Sequence, residues 1–413
     1  MDVNNTVKNI LYISYDGMTD PLGQSQVLPY LCGLAKKGYV FTLISCEKKL
    51  RFESGKEIIK EIADLNNIDW HPLPYTKKPP VLSTIFDIRK VNKTAMKLHR
   101  VKKFDLVHCR GHIPALSGLL LKRKKKIPFL FDMRGLWADE KVDAGAWNLR
   151  NPVFKIIYRY FKKKEKAFLL EADHTVCLTH NGRSELKTWA YLQSFFPALT
   201  VIPCCTDSRL FDPASIREED RERLRKESGI QPGETIISYL GSIGTWYMLE
   251  EMLDFFIIFL KAIPNSRLLF ITYNEHEHIK NVASEKGIDS HSIIIRPAKR
   301  SEVPLVLSLC SYSLFFIRPT YSKISSSPTK QGEIMGMGIP VVCNAGIGDT
   351  DMIVNKYKSG VVVPNLNTSG YEEAVNALLQ TRYDSEKIRE GCKDFFSLEK
   401  GVEQYSSIYQ SIL

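Results

Sequence analysis

The sequence predicts an α/β protein built from two Rossmann-like halves with parallel sheets, and three observations predict it. Apolar runs alternate with helical segments through the first 205 residues, a second set of apolar runs occupies 235 to 364, and the charged stretch 216–228 lies between them. Strand and helix in alternation need long crossovers, which give parallel, doubly wound sheets. At 413 residues the chain is also too long for one core of ordinary size. The expected division is an N-terminal domain at 1–205, a C-terminal domain at 206–390 and a C-terminal helix at 391–413 with a path open back to the first domain.

Taken in order, ILYISY (10–15) is a strand, QSQVLPYLCGLAKKG (24–38) an amphipathic helix stopped by Gly38, and VFTLISC (40–46) the next strand. Further strands are expected at 105–110, 128–134, 174–179 and 200–205, and a hinge near residue 206. Beyond it, IREEDRERLRKES (216–228) is helical. Strands follow at 235–241, 266–272, 292–297, 313–319, 340–344 and 359–364, and helices fill 385–413.

The stretch SSSPTKQGEIMGMGIPVV, 325–342, spells a helix start, a helix stop and a strand. Ser327 has the chemistry of an N-cap, Pro328 suits the first helical position, Gly338 supplies the stop and Pro340-Val341-Val342 opens a strand. A helix start presents unpaired amides to an anion. With Lys330 in the first turn and Glu333 one turn deeper, the stretch suits a nucleotide diphosphate, phosphates on the amides and a ribose diol on the carboxylate. By itself it also fits an ordinary capped helix of an α/β domain.

Composition narrows the class. With 44% hydrophobic and 25% charged residues, and no apolar run near the roughly 18–20 residues that span a bilayer, the chain reads as a soluble globular protein. The N-terminus lacks a basic segment followed by a cleavable apolar one, so a cytoplasmic location is expected. The nine cysteines form no C-x-x-C pair, and adjacent Cys204 and Cys205 lack a second ligand pair at metal spacing. Reduced thiols, no metal and no cofactor are expected.

Net charge is +11, and residues 1–200 hold 34 Lys and Arg against 19 Asp and Glu. The basic excess thus belongs to the first half, in runs at 89–103, 122–126 and 159–166. Two readings fit these runs: solvated helix faces, or attraction to an anionic membrane surface or a phosphorylated lipid acceptor. Nucleic acid is not expected, because no helix-turn-helix, zinc or base-stacking signature accompanies the charge.

GQSQVLPYL, DMRGLW, VIPCCTD, YLGSIGTWYML and SSPTKQGEIMGMGIPVV together resemble the retaining nucleotide-sugar glycosyltransferases of family 4 over almost the whole chain. The resemblance implies the GT-B fold, two facing Rossmann-like domains with a deep cleft between them. It implies a nucleotide-diphosphate sugar donor bound mainly by the C-terminal domain and a saccharide or lipid-linked acceptor bound mainly by the N-terminal one. Glu333 then matches the family carboxylate that accepts the ribose hydroxyls. Ser325, Ser326, Ser327 and Thr329 match the segment that meets sugar and diphosphate.

Two departures matter. Ser325 stands where many members have a glutamate, and Ser242 and Tyr247 stand roughly where many have an arginine and a lysine. The segment GSIGTWY offers amides and the hydroxyls of Ser242 and Thr245 instead. Lys330 is then the nearest cation for the diphosphate, and Arg318, unless it merely ends a strand, is the next.

Among residues of the first half, Gly23 follows strand one, where it suits either close approach to a diphosphate or a simple turn. Asp132 and Arg134 lie at an expected strand end, where doubly wound sheets bind ligands. They fit an acceptor or phosphate clamp, or a structural ion pair. His112 ranks below them. Asp349-Thr350-Asp351 is a literal Asp-x-Asp, a metal-binding signature in another fold, but its place before a helix favours capping. The expected activity is metal-independent hexosyl transfer in polysaccharide or glycolipid assembly, at the inner face of the membrane or free of it. The rivals are a related epimerase or inverting transferase, and a degenerate membrane-associated scaffold.

Overall fold

The computed structural model describes residues 7–79 and 81–413. The chain divides into two compact units, Met1–Pro203 with Leu398–Leu413, and Cys204–Ser397. In the first unit seven strands run in the order β3-β2-β1-β4-β5-β6-β7. They are β1 (Lys8–Ser14), β2 (Tyr39–Glu47), β3 (Ile68–Pro74), β4 (Leu106–Arg110), β5 (Phe129–Asp132), β6 (His174–Cys177) and β7 (Leu199–Val201). The second unit orders six strands β10-β9-β8-β11-β12-β13. These are β8 (Thr235–Leu240), β9 (Ser266–Ile271), β10 (Ile293–Arg296), β11 (Tyr312–Phe315), β12 (Val341–Asn344) and β13 (Gly360–Val363). Every pairing is parallel.

Central parallel strands are covered by helices on both faces, so their sequences read as unbroken apolar runs. The LLFI of β9 and the VVC of β12 are fully buried for this reason. Strand β3, IDWHPLP, escapes the sequence reading because it is an edge. Pro72 and Pro74 pair with Ser45 and Glu47 on one side only, which an edge strand tolerates.

Three local expectations are corrected. The helix expected at 24–38 is two helices, Pro21–Gln26 and Leu28–Ala35, broken at Val27 (φ −126°, ψ −65°) because Pro29 lacks the N–H that a continuous helix needs. The strand expected to reach residue 134 ends at Asp132, and Arg134 turns into the left-handed region at φ +57°. The strand expected at 200–205 stops at Val201, before Pro203.

In the first unit the C-terminal helix Leu398–Ile412 buries Val402, Tyr405, Ile408 and Tyr409. Tyr409 packs edge-on against Tyr39 at 5.0 Å and Tyr405 against Tyr30 at 5.6 Å. Burying such aromatic side chains is worth about 1.5–3 kcal/mol each, which ties the last helix to this sheet. Among the described residues no helix is long and apolar enough to cross a membrane.

Candidate functional site

In the second unit the strand order reverses between β8 and β11, and doubly wound sheets place ligands beyond the carboxyl ends of such a pair. Lys330, on the helix Thr329–Gly336, stands there. Its Nζ lies 4.2 Å from the ring centroid of Tyr239 on β8, 3.7 Å from that of Tyr247 and 5.9 Å from that of Phe315 on β11. The ammonium donates to the Tyr239 hydroxyl at 3.2 Å, and that hydroxyl donates to the Ser242 carbonyl at 2.6 Å. Gly241, at φ +124°, leaves the space, since a Cβ there would come within 3.0 Å of Nζ.

Lys330 is only 7% exposed, and no carboxylate among the described residues forms an ion pair with it. Glu333, one turn on, is engaged by Arg300, whose Nη1 lies 2.7 Å from Oε1. Burial pushes the Lys330 ammonium well below the ordinary lysine value, with Glu333 opposing the shift. A desolvated cation over an aromatic ring gains about 2 kcal/mol, while taking an ammonium out of water costs several. The three rings offset part of that cost but bring no negative charge, and an anion would offset more of it.

The helix start beside Lys330 is uncapped. Pro328 occupies the N-cap position with no side-chain cap, one residue later than Ser327, the expected cap. Ser327 faces away and its Oγ accepts from the amide of Cys204 at 3.1 Å. The amide of Gln331 turns back to the Pro328 carbonyl at 3.0 Å, while those of Thr329 and Lys330 point ahead of the helix. Gln331 is fully buried, and neither polar atom of its amide side chain finds a partner among the described residues. Buried unsatisfied groups of this kind cost about 1–3 kcal/mol and gather where ligands act.

The remaining expected donor residues surround this point unevenly. Ser325 is buried, and the amide of Ser326 closes on the Lys323 carbonyl at 3.1 Å. Ser242 and Thr245 expose their side chains on the loop after β8, which is pinned to the segment after β11 by the Arg318 amide donating to the Trp246 carbonyl at 2.9 Å. Arg318 itself projects to solvent, 12 residues before Lys330 in the chain. Asp349 precedes the helix Thr350–Tyr357 without a side-chain cap bond, contrary to the capping expectation, and Asp351 instead accepts from the Gly346 amide at 3.2 Å.

Gly23, Asp132 and Arg134 belong to the first unit. Gly23 serves packing: a Cβ would meet the Gly17 carbonyl oxygen at 2.2 Å, so its hydrogen makes room for the chain itself. Asp132 is 1% exposed and accepts from the Tyr405 hydroxyl at 3.2 Å, with His108 Nε2 3.7 Å away and Arg134 Nη1 3.7 Å from its other oxygen. Burial works to raise its carboxyl, but Arg134, His108 and Arg110 together hold it below the usual range. Enclosed in this way, Asp132 positions Arg134 and offers no surface to an acceptor, which corrects its expected direct role. Arg134 keeps the better claim, because a non-glycine residue held at positive φ costs about 1 kcal/mol and such strain collects at functional sites. Across the reversal of this sheet, between β1 and β4, Arg110 pairs with Asp16. His112 is structural: it is bonded to buried Glu165 at 3.0 Å and stacked on Trp137.

The Glycosyltransferase Family 4 model matches residues 25–210, and the Glycosyl transferases group 1 model matches residues 220–394. The chain belongs to glycosyltransferase family 4. A curated relative, the D-inositol 3-phosphate glycosyltransferase of Nocardia farcinica, is 22% identical over 288 residues. That match takes in 68% of this chain but spans only 59% of the relative's length. Among solved structures, sucrose-phosphate synthase from Thermosynechococcus elongatus superposes with a TM-score of 0.71 at 16% identity, covering 98% of each chain. Anabaena HepE in complex with UDP-glucose gives 0.70 at 14% identity, covering 98% of this chain and 99% of that one. At such identities the likeness establishes the GT-B fold of this family 4 member and nothing finer.

Tyr239, Arg300 and Arg110 were not singled out from the sequence, and Tyr247 only as the place of a missing cation. Tyr239 lies inside the apolar run TIISYL, where nothing separates it from core. Arg300 was findable, since it lies in the loop that leaves the carboxyl end of β10.

Exchange of Lys330 for Met should raise the unfolding free energy of the ligand-free protein by roughly 1–4 kcal/mol, the range seen when buried charges give way to apolar side chains of similar volume. A depressed folded-state value means stability is lost as pH falls from the ordinary lysine value towards the depressed one. The advantage of Met should therefore grow as pH is lowered through that window, and denaturant melts at several pH values would measure it.

Proposed function

We propose that this chain is a retaining glycosyltransferase that moves a sugar from a nucleotide diphosphate to a hydroxyl of a saccharide or lipid-linked acceptor. The observation that carries the reading is the buried Lys330, which forms no ion pair among the described residues, beside an uncapped helix start at the switch point of the second sheet. In this reading the diphosphate lies against the amides of Thr329 and Lys330, the ammonium meets the charge that grows on the departing oxygen, and Glu333 accepts from the ribose. Ser242 and Thr245 supply hydroxyls to the same donor. Arg318 lies at the rim, as a second and weaker cation.

For same-face transfer the bond from the sugar C1 to the phosphate oxygen breaks while a bond from C1 to the acceptor oxygen forms. The acceptor proton passes to the departing phosphate oxygen, so no protein base is required. Preorganised charge aimed at the leaving group is the main contribution asked of the protein. No step asks for a metal, and the Asp351 carboxylate is already engaged by the Gly346 amide. The first unit takes the acceptor, with Arg134, held by Asp132, as the residue that meets it.

A panel of UDP-, GDP-, dTDP- and ADP-sugars with the anomer of the product read by proton NMR tests this. Turnover of one donor with retained configuration, unaffected by chelator, is expected. Lys330→Ala should lower kcat by 100-fold or more, about 3 kcal/mol. An unchanged kcat would remove Lys330 from the chemistry, and loss of activity on chelation, restored by manganese, would remove metal independence.

The acceptor surface is proposed to rest on an anionic membrane. Two helices leave the carboxyl edge of the first sheet, Leu82–Lys102 and Pro152–Glu171. They expose Leu82, Ile85 and Phe86, and Val153, Ile156 and Tyr160, beside exposed Arg89, Lys93, Lys155, Arg159 and Lys163. Apolar turns ringed by basic side chains fit anionic lipid headgroups. Sedimentation with phosphatidylcholine vesicles containing phosphatidylglycerol should pull the protein down, and Ile156→Asp with Phe86→Asp should release it. Equal binding to vesicles without the anionic lipid, or none to either, would contradict this.

A further inference from the structure

Glu333 is a buried carboxylate, and among the described residues three titratable or charged groups face it. Arg300 comes from the loop between β10 and the helix Val303–Leu307, with Nη1 at 2.7 Å from Oε1. Lys330 comes from its own helix, one turn before, and Cys392 from the helix Ser385–Phe395. The thiol is pushed up to about 12 by burial and is neutral. Lys330 is itself driven towards the neutral form by its apolar surroundings. Arg300 alone cannot lose its charge, because a guanidinium stays protonated under any condition a protein survives.

Its geometry is also fixed. The guanidinium carbon lies 5.4 Å from the ring centroid of Phe211, and the side chain keeps 26% of its surface exposed. Stability gives little reason for such a pair, since buried ion pairs exchanged for apolar residues of similar volume often leave a protein no less stable. Orientation gives a better one. An ionised carboxylate offers about four lone-pair positions and no donor, whereas the protonated acid gives up an acceptor site and gains a hydroxyl that points the wrong way for two ribose hydroxyls.

We propose that Arg300 is a positioning residue of the nucleotide site, which holds Glu333 as an oriented carboxylate by its Oε1 and so presents the other lone pairs to the ribose diol of the donor. The role rests on the donor-site reading above. Burial raises the Glu333 carboxyl, and Arg300 and Lys330 oppose that rise. Loss of Arg300 removes the leading opposing charge, so the carboxyl rises further and the acid form spreads towards neutral pH. Nucleotide affinity then falls by about tenfold for each pH unit below the new value, because only the ionised fraction binds.

The test is calorimetric titration of UDP, GDP, dTDP and ADP into the full chain between pH 5.5 and 8.5. Wild type, Arg300→Gln, Arg300→Lys and Glu333→Gln are compared with the nucleotide that binds wild type tightest. Expected are a wild-type profile whose acid loss lies at the low end of this range, any alkaline weakening set by Lys330 being common to wild type and the Arg300 variants, and an Arg300→Gln profile whose acid loss begins at higher pH. Arg300→Lys should recover most of the wild-type profile, and Glu333→Gln should bind weakly at every pH. An Arg300→Gln protein with a lowered Tm but a wild-type pH profile would make Arg300 a brace and overturn the proposal. Should Arg300→Gln not fold, a wild-type profile in Arg300→Lys supports the proposal and an acid-sensitive one, with charge retained, overturns it. Failure of wild type to bind any of the four would overturn the donor site, and this role with it.

Discussion

The second unit is organised around one unfavourable placement, an ammonium enclosed by Tyr239, Tyr247 and Phe315 that forms no ion pair among the described residues. Much of the surrounding detail follows from accommodating it. Gly241 gives up its side chain to make room, and the Tyr239 hydroxyl is directed both to the ammonium and to the Ser242 carbonyl, so the loop after β8 takes its shape from the lysine. Pro328 leaves the helix start uncapped, and Arg300 engages Glu333, the carboxylate one turn on from Lys330. A buried cation without an ion pair among the described residues is the feature on which the proposed diphosphate site rests.

The first unit follows the opposite rule. Two ion pairs at the sheet's carboxyl edge are matched, Arg110 with Asp16 and Arg134 with Asp132. Tyr405 and Tyr409 of the last helix close over Asp132 and His108. Matched charges cost less and hold shape, which suits the acceptor role proposed for this unit. Unmatched charge suits a site that must bind an anion and release it.

What was legible in the sequence follows from how far apart the causes lie along the chain. Central strands announce themselves because burial on both faces demands apolar residues at every position, as in TIISYL and SRLLFI. The edge strand β3 did not, since one-sided pairing lets Pro72 and Pro74 in. Pro29, inside an otherwise periodic helix, was visible and marks the break between the first two helices. Lys330 and Glu333 could be read together because they share one helical turn. The ring of Tyr239, 91 residues earlier, and the guanidinium of Arg300, 33 residues before Glu333, meet them only through the sheet. Ser327 shows the limit of local chemistry: it has the form of a cap, yet its hydroxyl bonds to Cys204 from another part of the unit.

The central claim is that Lys330 is a cation held in reserve for a diphosphate. Nitrogen-15 labelling of lysine side chains, with Lys330→Met to assign the signal, allows its Nζ to be followed by NMR as pH is varied, alone and with a nucleoside diphosphate or the parent nucleoside. The account predicts a midpoint far below that of the other lysines in the free protein, restored towards the ordinary value by the diphosphate and left in place by the nucleoside. An ordinary midpoint in the free protein, or one that the diphosphate does not move, would contradict it.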